Sequence, residues 1–107
     1  MRTKQKMKRI YLDTANNENE INAFLKQQRM QDLRVKSAWV QDDRHLFLIF
    51  EECEDTGNLP REIVKQGKKK KYRDKGAFRQ AFQHDFWECC AEMETEEMFL
   101  ILLRHRA

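Results

Sequence analysis

Two short runs constrain the fold more than anything else in the chain. HLFLIFE at 45–51 and MFLILL at 98–103 are apolar at odd and even positions alike. Each is too short for a buried helix and too apolar for a one-sided strand. Each therefore reads as a strand with something packed on both faces, or with an apolar face left open. The other patterns are weaker. KRIYLD at 8–13 alternates, with Ile10 and Leu12 on one side and Arg9 and Tyr11 on the other, as in a half-buried strand. Asn17, followed three residues later by Glu20, resembles a capping box ahead of Ile21, Phe24 and Leu25 on one helical face through about Gln28. LRVKSAWV at 33–40 returns to strand spacing, with Leu33, Val35 and Trp39 expected on a common side.

In the second half, Pro60 opens and Gly67 closes a short expected helix, PREIVKQ. From Asp74 the spacing predicts a longer helix whose stripe is Phe78, Phe82, Phe86, Cys89 and Met93. The expected order is β-α-β-β-α-β, one α+β domain over 1–107 with a basic tail at 1–7 and a basic insertion at 54–75 before the second main helix. Two right-handed crossovers and a hairpin arrange such elements as a four-stranded ferredoxin-like sheet, order 4-1-3-2. Both helices would cover one face. The other would be left for the 59–66 segment, a second copy of the chain or a ligand. On this arrangement MFLILL is an edge strand, and an uncharged apolar edge invites a homodimer.

A chain of 107 residues with 36% charged and 10% aromatic side chains has the composition of a small globular domain. No apolar run reaches the roughly 18–20 residues of a membrane span. The start, MRTKQKMKR, is not a signal h-region, so a cytoplasmic, unprocessed protein without a membrane partner is expected. The three cysteines, two of them adjacent, form no disulfide framework and are expected reduced and mostly buried. The motifs of a phosphate loop or a nucleophile elbow are absent. His84 and Asp85 precede Cys89 and Cys90, but on a helix the five-residue spacing turns Cys89 about 140° from His84. No catalytic residue, metal site or cofactor is assigned.

Charge is the functional signal. The net charge is +3, yet residues 1–9 hold five basic and no acidic groups, and residues 61–79 hold nine basic and two acidic. Acidic groups gather at 42–43, 51–55 and 92–97. The stretch GKKKKYRDKG at 67–76 repels itself, so its charge does not assist folding. Lys65, Lys68, Lys69, Lys70, Lys71, Arg73, Lys75 and Arg79 are candidate phosphate contacts, and Tyr72 a candidate stacking ring. A solvated loop that only keeps the chain soluble is the competing interpretation.

Ile10-Tyr11-Leu12 resembles the start of the short consensus of the RNA recognition motif, a family of the same topology that stacks bases on its central strands. The resemblance implies stacking roles for Tyr11 and Phe47. The third strand, RHLFLIF at 44–50, departs from that family in lacking its glycine-containing core. Residues 8–52 are also similar in pattern to short sporulation-associated β-α-β-β proteins of low-GC bacteria, which implies a small accessory module. Size and uneven charge look like phage or mobile-element inhibitors of the anti-CRISPR type. The expected function is non-enzymatic binding of nucleic acid or a nucleoprotein through the lysine-rich insertion. The alternative is an inhibitor or adaptor acting on a protein target.

Overall fold

The computed structural model describes residues 5–13, 17–53, 60–84 and 86–105. Residues 1–4 of the basic tail, 54–59 of the insertion and Asp85 lie outside them. The elements are β1 (Gln5–Tyr11), α1 (Glu18–Met30), β2 (Leu33–Gln41), β3 (His45–Glu52), β4 (Glu62–Lys68), a 3-10 turn at Lys69–Lys71, α2 (Lys75–Phe82), β5 (Trp87–Glu94) and β6 (Met98–His105). The strands form two three-stranded antiparallel sheets, ordered β1-β3-β2 and β4-β6-β5.

This replaces the expected single four-stranded ferredoxin-like sheet. Two segments account for the difference. Residues 62–66, expected as part of the helix PREIVKQ, belong instead to strand β4: Val64 and Gln66 are buried while their neighbours Lys65 and Gly67 face the other way. The second helix stops at Phe82, and WECCAEME at 87–94 is strand β5. The chain is α+β, but the stripe expected through Phe86, Cys89 and Met93 does not exist. Phe78 is fully buried, whereas Phe86 is 67% exposed.

The two apolar runs become the centre of each sheet. In β6, Leu100 and Leu102 face a core shared with the other sheet, while Phe99, Ile101 and Leu103 face α2 and Phe78. Coverage on both sides explains why the run is apolar at both parities. It lies between β4 and β5, so the expected edge strand is an interior one. In β3, Leu46, Leu48 and Phe50 enter the shared core, and His45, Phe47 and Ile49 point away from it.

A bulge decides the parity of one outer strand in each sheet. The register of β2 shifts between Val35 and Ser37, so Leu33 and Val35 face the core before the bulge and Ala38 and Val40 face it afterwards. Trp39 is thereby thrown to the opposite face, away from Leu33 and Val35. A matching shift between Cys89 and Ala91 puts Trp87 and Cys89 toward α2 but Ala91 and Met93 toward the shared core.

Side chains of α1 occupy the free edge of β4. Asn22 Oδ1 accepts from the Val64 N–H at 2.6 Å, and Asn22 Nδ2 donates to the Val64 carbonyl at 3.1 Å. Glu18 Oε2 accepts from the Gln66 N–H at 3.1 Å, and the Asn17 N–H donates to Gln66 Oε1 at 2.9 Å. The middle of the edge is thus occupied by side chains in place of another strand. Asn17 itself makes no side-chain cap bond, so the expected capping box is not formed. At the seam between the sheets, Glu62 Oε1 accepts from the Val35 N–H at 3.0 Å, and its Oε2 meets Arg104 Nη2 at 2.9 Å. The same guanidinium nitrogen donates to the Val35 carbonyl at 2.9 Å.

Candidate nucleic-acid interface

The sheet β1-β3-β2 buries one face and leaves the other open among the described residues. The strand pairing aligns the open face in cross-strand rows: Met7 with Ile49 and Ser37, Arg9 with Phe47 and Trp39, Tyr11 with His45 and Gln41. Met7 is 63% and Tyr11 56% exposed, and Trp39, His45, Phe47 and Ile49 are half-buried by one another. Trp39 and Phe47 stack with centroids 5.3 Å apart and planes 5° from parallel. Tyr11 meets His45 edge-on at 5.7 Å, and His45 lies 6.4 Å from Phe47. Four aromatic rings therefore form one connected platform.

Beside them, β1 contributes Lys6, Lys8 and Arg9 and no carboxylate. Arg9 stands opposite Phe47 on the open face. Lys6 and Lys8 belong to the inner side, with their ammonium groups over the Phe24 ring at 5.9 and 5.1 Å. An exposed cluster of aromatic rings with a neighbouring cation suits unpaired bases and their phosphates.

The lysine-rich stretch is organised differently. Lys68 ends β4, and Lys69–Lys71 form the 3-10 turn. Lys69 Nζ is 2.7 Å and Lys75 Nζ 3.7 Å from the Glu94 carboxylate. Arg79 Nη1 lies 2.6 Å from Glu92, Lys65 Nζ 3.4 Å from Glu18, and Arg73 Nε 3.6 Å from Asp74. Among the described residues Lys68, Lys70 and Lys71 make no ion pair and are exposed. The hydrogen bond and charge of Lys69, aided by Lys75, hold the Glu94 carboxyl below its ordinary range. Tyr72 packs edge-on against Phe78 at 4.9 Å and lies 6.3 Å from Phe82. A Cβ at Gly67 would come within 2.8 Å of Tyr72 Cε2 and 2.7 Å of Phe78 Cε1, so this close approach is the reason for glycine there.

The two sequence-derived groups are not contiguous. Tyr11 borders a groove with Asp13, Asp43, Arg44, Glu96 and Glu97, and the other side of the Glu96–Glu97 turn abuts Lys68, Lys69 and Lys70. Carboxylates thus separate the aromatic platform from the lysine run. Sequence reasoning paired Tyr11 with Phe47 but missed Trp39, His45 and Arg9. The parity of β3 pointed to His45, whereas Trp39 was hidden by the bulge.

The chain has three cysteines. All three are free, Cys90 exposed and Cys53 and Cys89 half-buried, where mostly buried thiols were expected. Desolvation chiefly raises the pKa of Cys89 and of Cys90, with Glu92 and Glu88 respectively adding to it, so neither is an activated thiolate. No metal-competent cluster of His, Cys, Asp and Glu occurs among the described residues, and none of their helices is long and apolar enough to cross a membrane. Comparison of the chain with protein-family models, curated proteins and solved structures finds no match.

Proposed function

We propose that the protein binds single-stranded nucleic acid, without catalysis, on the open face of β1-β3-β2. The supporting observation is the connected platform of Tyr11, His45, Phe47 and Trp39 on an uncovered sheet face, with Arg9 in its middle row. Bases would stack on exposed ring faces while Arg9 draws in the backbone. Lys68, Lys70 and Lys71 supply long-range attraction and are not placed to touch the same bases.

Titration of fluorescent 12-mers of oligo-dT and oligo-rU at several salt concentrations tests this. Tyr11→Ala and Trp39→Ala are each expected to weaken binding by about 1–3 kcal/mol, the scale of one base stack. Arg9→Gln is expected to flatten the log-log salt slope by about 0.7. Wild-type protein that ignores both oligomers at low salt refutes the proposal, as do ring variants with unchanged affinity.

A second reading is favoured by Met7 and Ile49, which extend the platform with apolar surface. On that reading the face docks a protein target, as an inhibitor or adaptor would. Its complex would persist at salt concentrations that abolish phosphate contacts.

A further inference from the structure

The opposite side of the molecule carries a second set of cations whose spacing is regular. Lys75 and Arg79 are four residues apart on α2, hence about 6 Å apart along the helix on one side. They face Glu94 and Glu92, two residues apart on β5 and about 7 Å apart along one side of the strand. Lys69 joins the same row by bonding Glu94. Three cations are therefore aligned on two carboxylates whose separation is comparable to that of successive phosphates in an extended strand. A shallow polar groove continues the row along α2 and β5 past Arg79, Gln80 and Gln83, and at the other end a second groove runs between Lys68 and Lys70 and the carboxylates of Glu96 and Glu97.

The ion pairs are partly exposed: the side chains of Glu94 and Glu92 retain 46% and 28% of their accessible surface. Pairs of this kind contribute little to stability and exchange readily with other anions. Docking of α2 rests instead on Phe78, which is fully buried against β6, and on Phe82 and Tyr72 around it. The helix is thus held by apolar packing as well as by these ion pairs.

We propose that Lys69, Lys75 and Arg79 form a second phosphate-binding track for single-stranded nucleic acid along the α2–β5 groove, and that Glu92 and Glu94 mask it in the free protein. A backbone entering the groove displaces the two carboxylates and takes over their cations, while Gln80 and Gln83 donate to it further along. The track is independent of the aromatic platform, which lies on the far side of both sheets.

The test is made in a Tyr11→Ala/Trp39→Ala background, so that loss of the platform does not decide it. Glu92→Gln/Glu94→Gln is compared with Glu20→Gln/Glu52→Gln, which removes the same charge from exposed sites elsewhere. With a fluorescent dT 12-mer the first pair is expected to raise affinity about tenfold at low salt. The second pair should do much less. Equal effects of the two pairs overturn the proposal, because the gain is then only net charge. Since unmasking can also loosen α2, the side-chain amide signals of Gln80 and Gln83 are followed by NMR in otherwise wild-type protein as the dT 12-mer is added at low salt. Shifts at both support the track. Their absence under conditions where the 12-mer binds overturns it.

Discussion

Glu62 is the residue whose loss should tell most about how the sheets are joined. Its side chain is 6% exposed and serves two partners, the Val35 N–H at the β2 bulge and the Arg104 guanidinium. Desolvation works against the charge of Arg104, but the hydrogen bonds and charge of Glu62 outweigh it, and the net shift of its pKa is upward. Glu62→Ala strands that guanidinium at the seam and leaves the Val35 N–H unpaired. Removing one partner of a buried pair costs about 3–5 kcal/mol, and because Arg104 keeps 26% of its side-chain surface the lower end, about 3 kcal/mol, is expected. That is a large share of the roughly 5–15 kcal/mol of a small domain. With a urea m-value of about 1–3 kcal/mol/M, the midpoint should fall by about 1–3 M. Trp39 on one sheet and Trp87 on the other make fluorescence a probe of both. The double variant Glu62→Leu/Arg104→Met should cost less than Glu62→Ala alone, since it leaves no unpaired charge. A loss under about 1 kcal/mol for Glu62→Ala, or a double variant weaker than the single, would refute the idea that this pair closes the seam.

Phe78→Ala should destabilise the protein by about 3–5 kcal/mol in the same unfolding assay, whereas Phe86→Ala should change it by less than about 0.5 kcal/mol. Equal effects would restore the longer helix expected from the sequence. Gly67→Ala should cost about 1–3 kcal/mol by thermal or urea unfolding, because the methyl group meets the rings of Tyr72 and buried Phe78; a neutral result contradicts that packing. Iodoacetamide should alkylate Cys90 and Cys89 more slowly at neutral pH than a free model thiol does, with the rate rising only at pH values above the ordinary thiol range. Rapid labelling of the folded protein at pH 7 would show that one of them is activated.

What could be read from the sequence followed local periodicity. The strands at 33–41 and 45–52 and the helix after Asn17 appear with nearly the expected bounds, because their alternation or stripe survives over most of their length. The topology was not legible, for two local reasons. In β4, Pro60 and Gly67 look like helix boundaries, yet glycine is there to admit Phe78 and Tyr72, a contact from elsewhere in the chain. In β5, Cys89 and Met93 match a helical spacing from Phe86, yet the bulge puts them on opposite faces of the sheet, Cys89 toward α2 and Met93 toward the shared core. The same device in β2 sent Trp39 to the core in the sequence reading and to the open face in the structure. The candidate site suffered accordingly: Tyr11 and Phe47 lie on unbulged strands and were found, while their stacking neighbour was not.

Charge was misread through the same error. Counted along the chain, 61–79 is a basic segment and 92–97 an acidic one, and they look like separate poles. Had one helix run from Asp74 through Met93, Arg79 and Glu92 would stand 13 residues and about 20 Å apart along its axis. Because α2 ends at Phe82 and the chain reverses into β5, the two side chains instead meet at 2.6 Å, and Glu94 lies between Lys69 and Lys75. The field of the lysine-rich stretch is therefore answered in part by the protein itself. The cations without a carboxylate partner here, Lys68, Lys70 and Lys71, lie beyond a band of acidic side chains from the aromatic face. A run of lysines thus carries less of the functional argument than its sequence suggests. More of it rests on four aromatic rings drawn from three strands, whose juxtaposition only the sheet register creates.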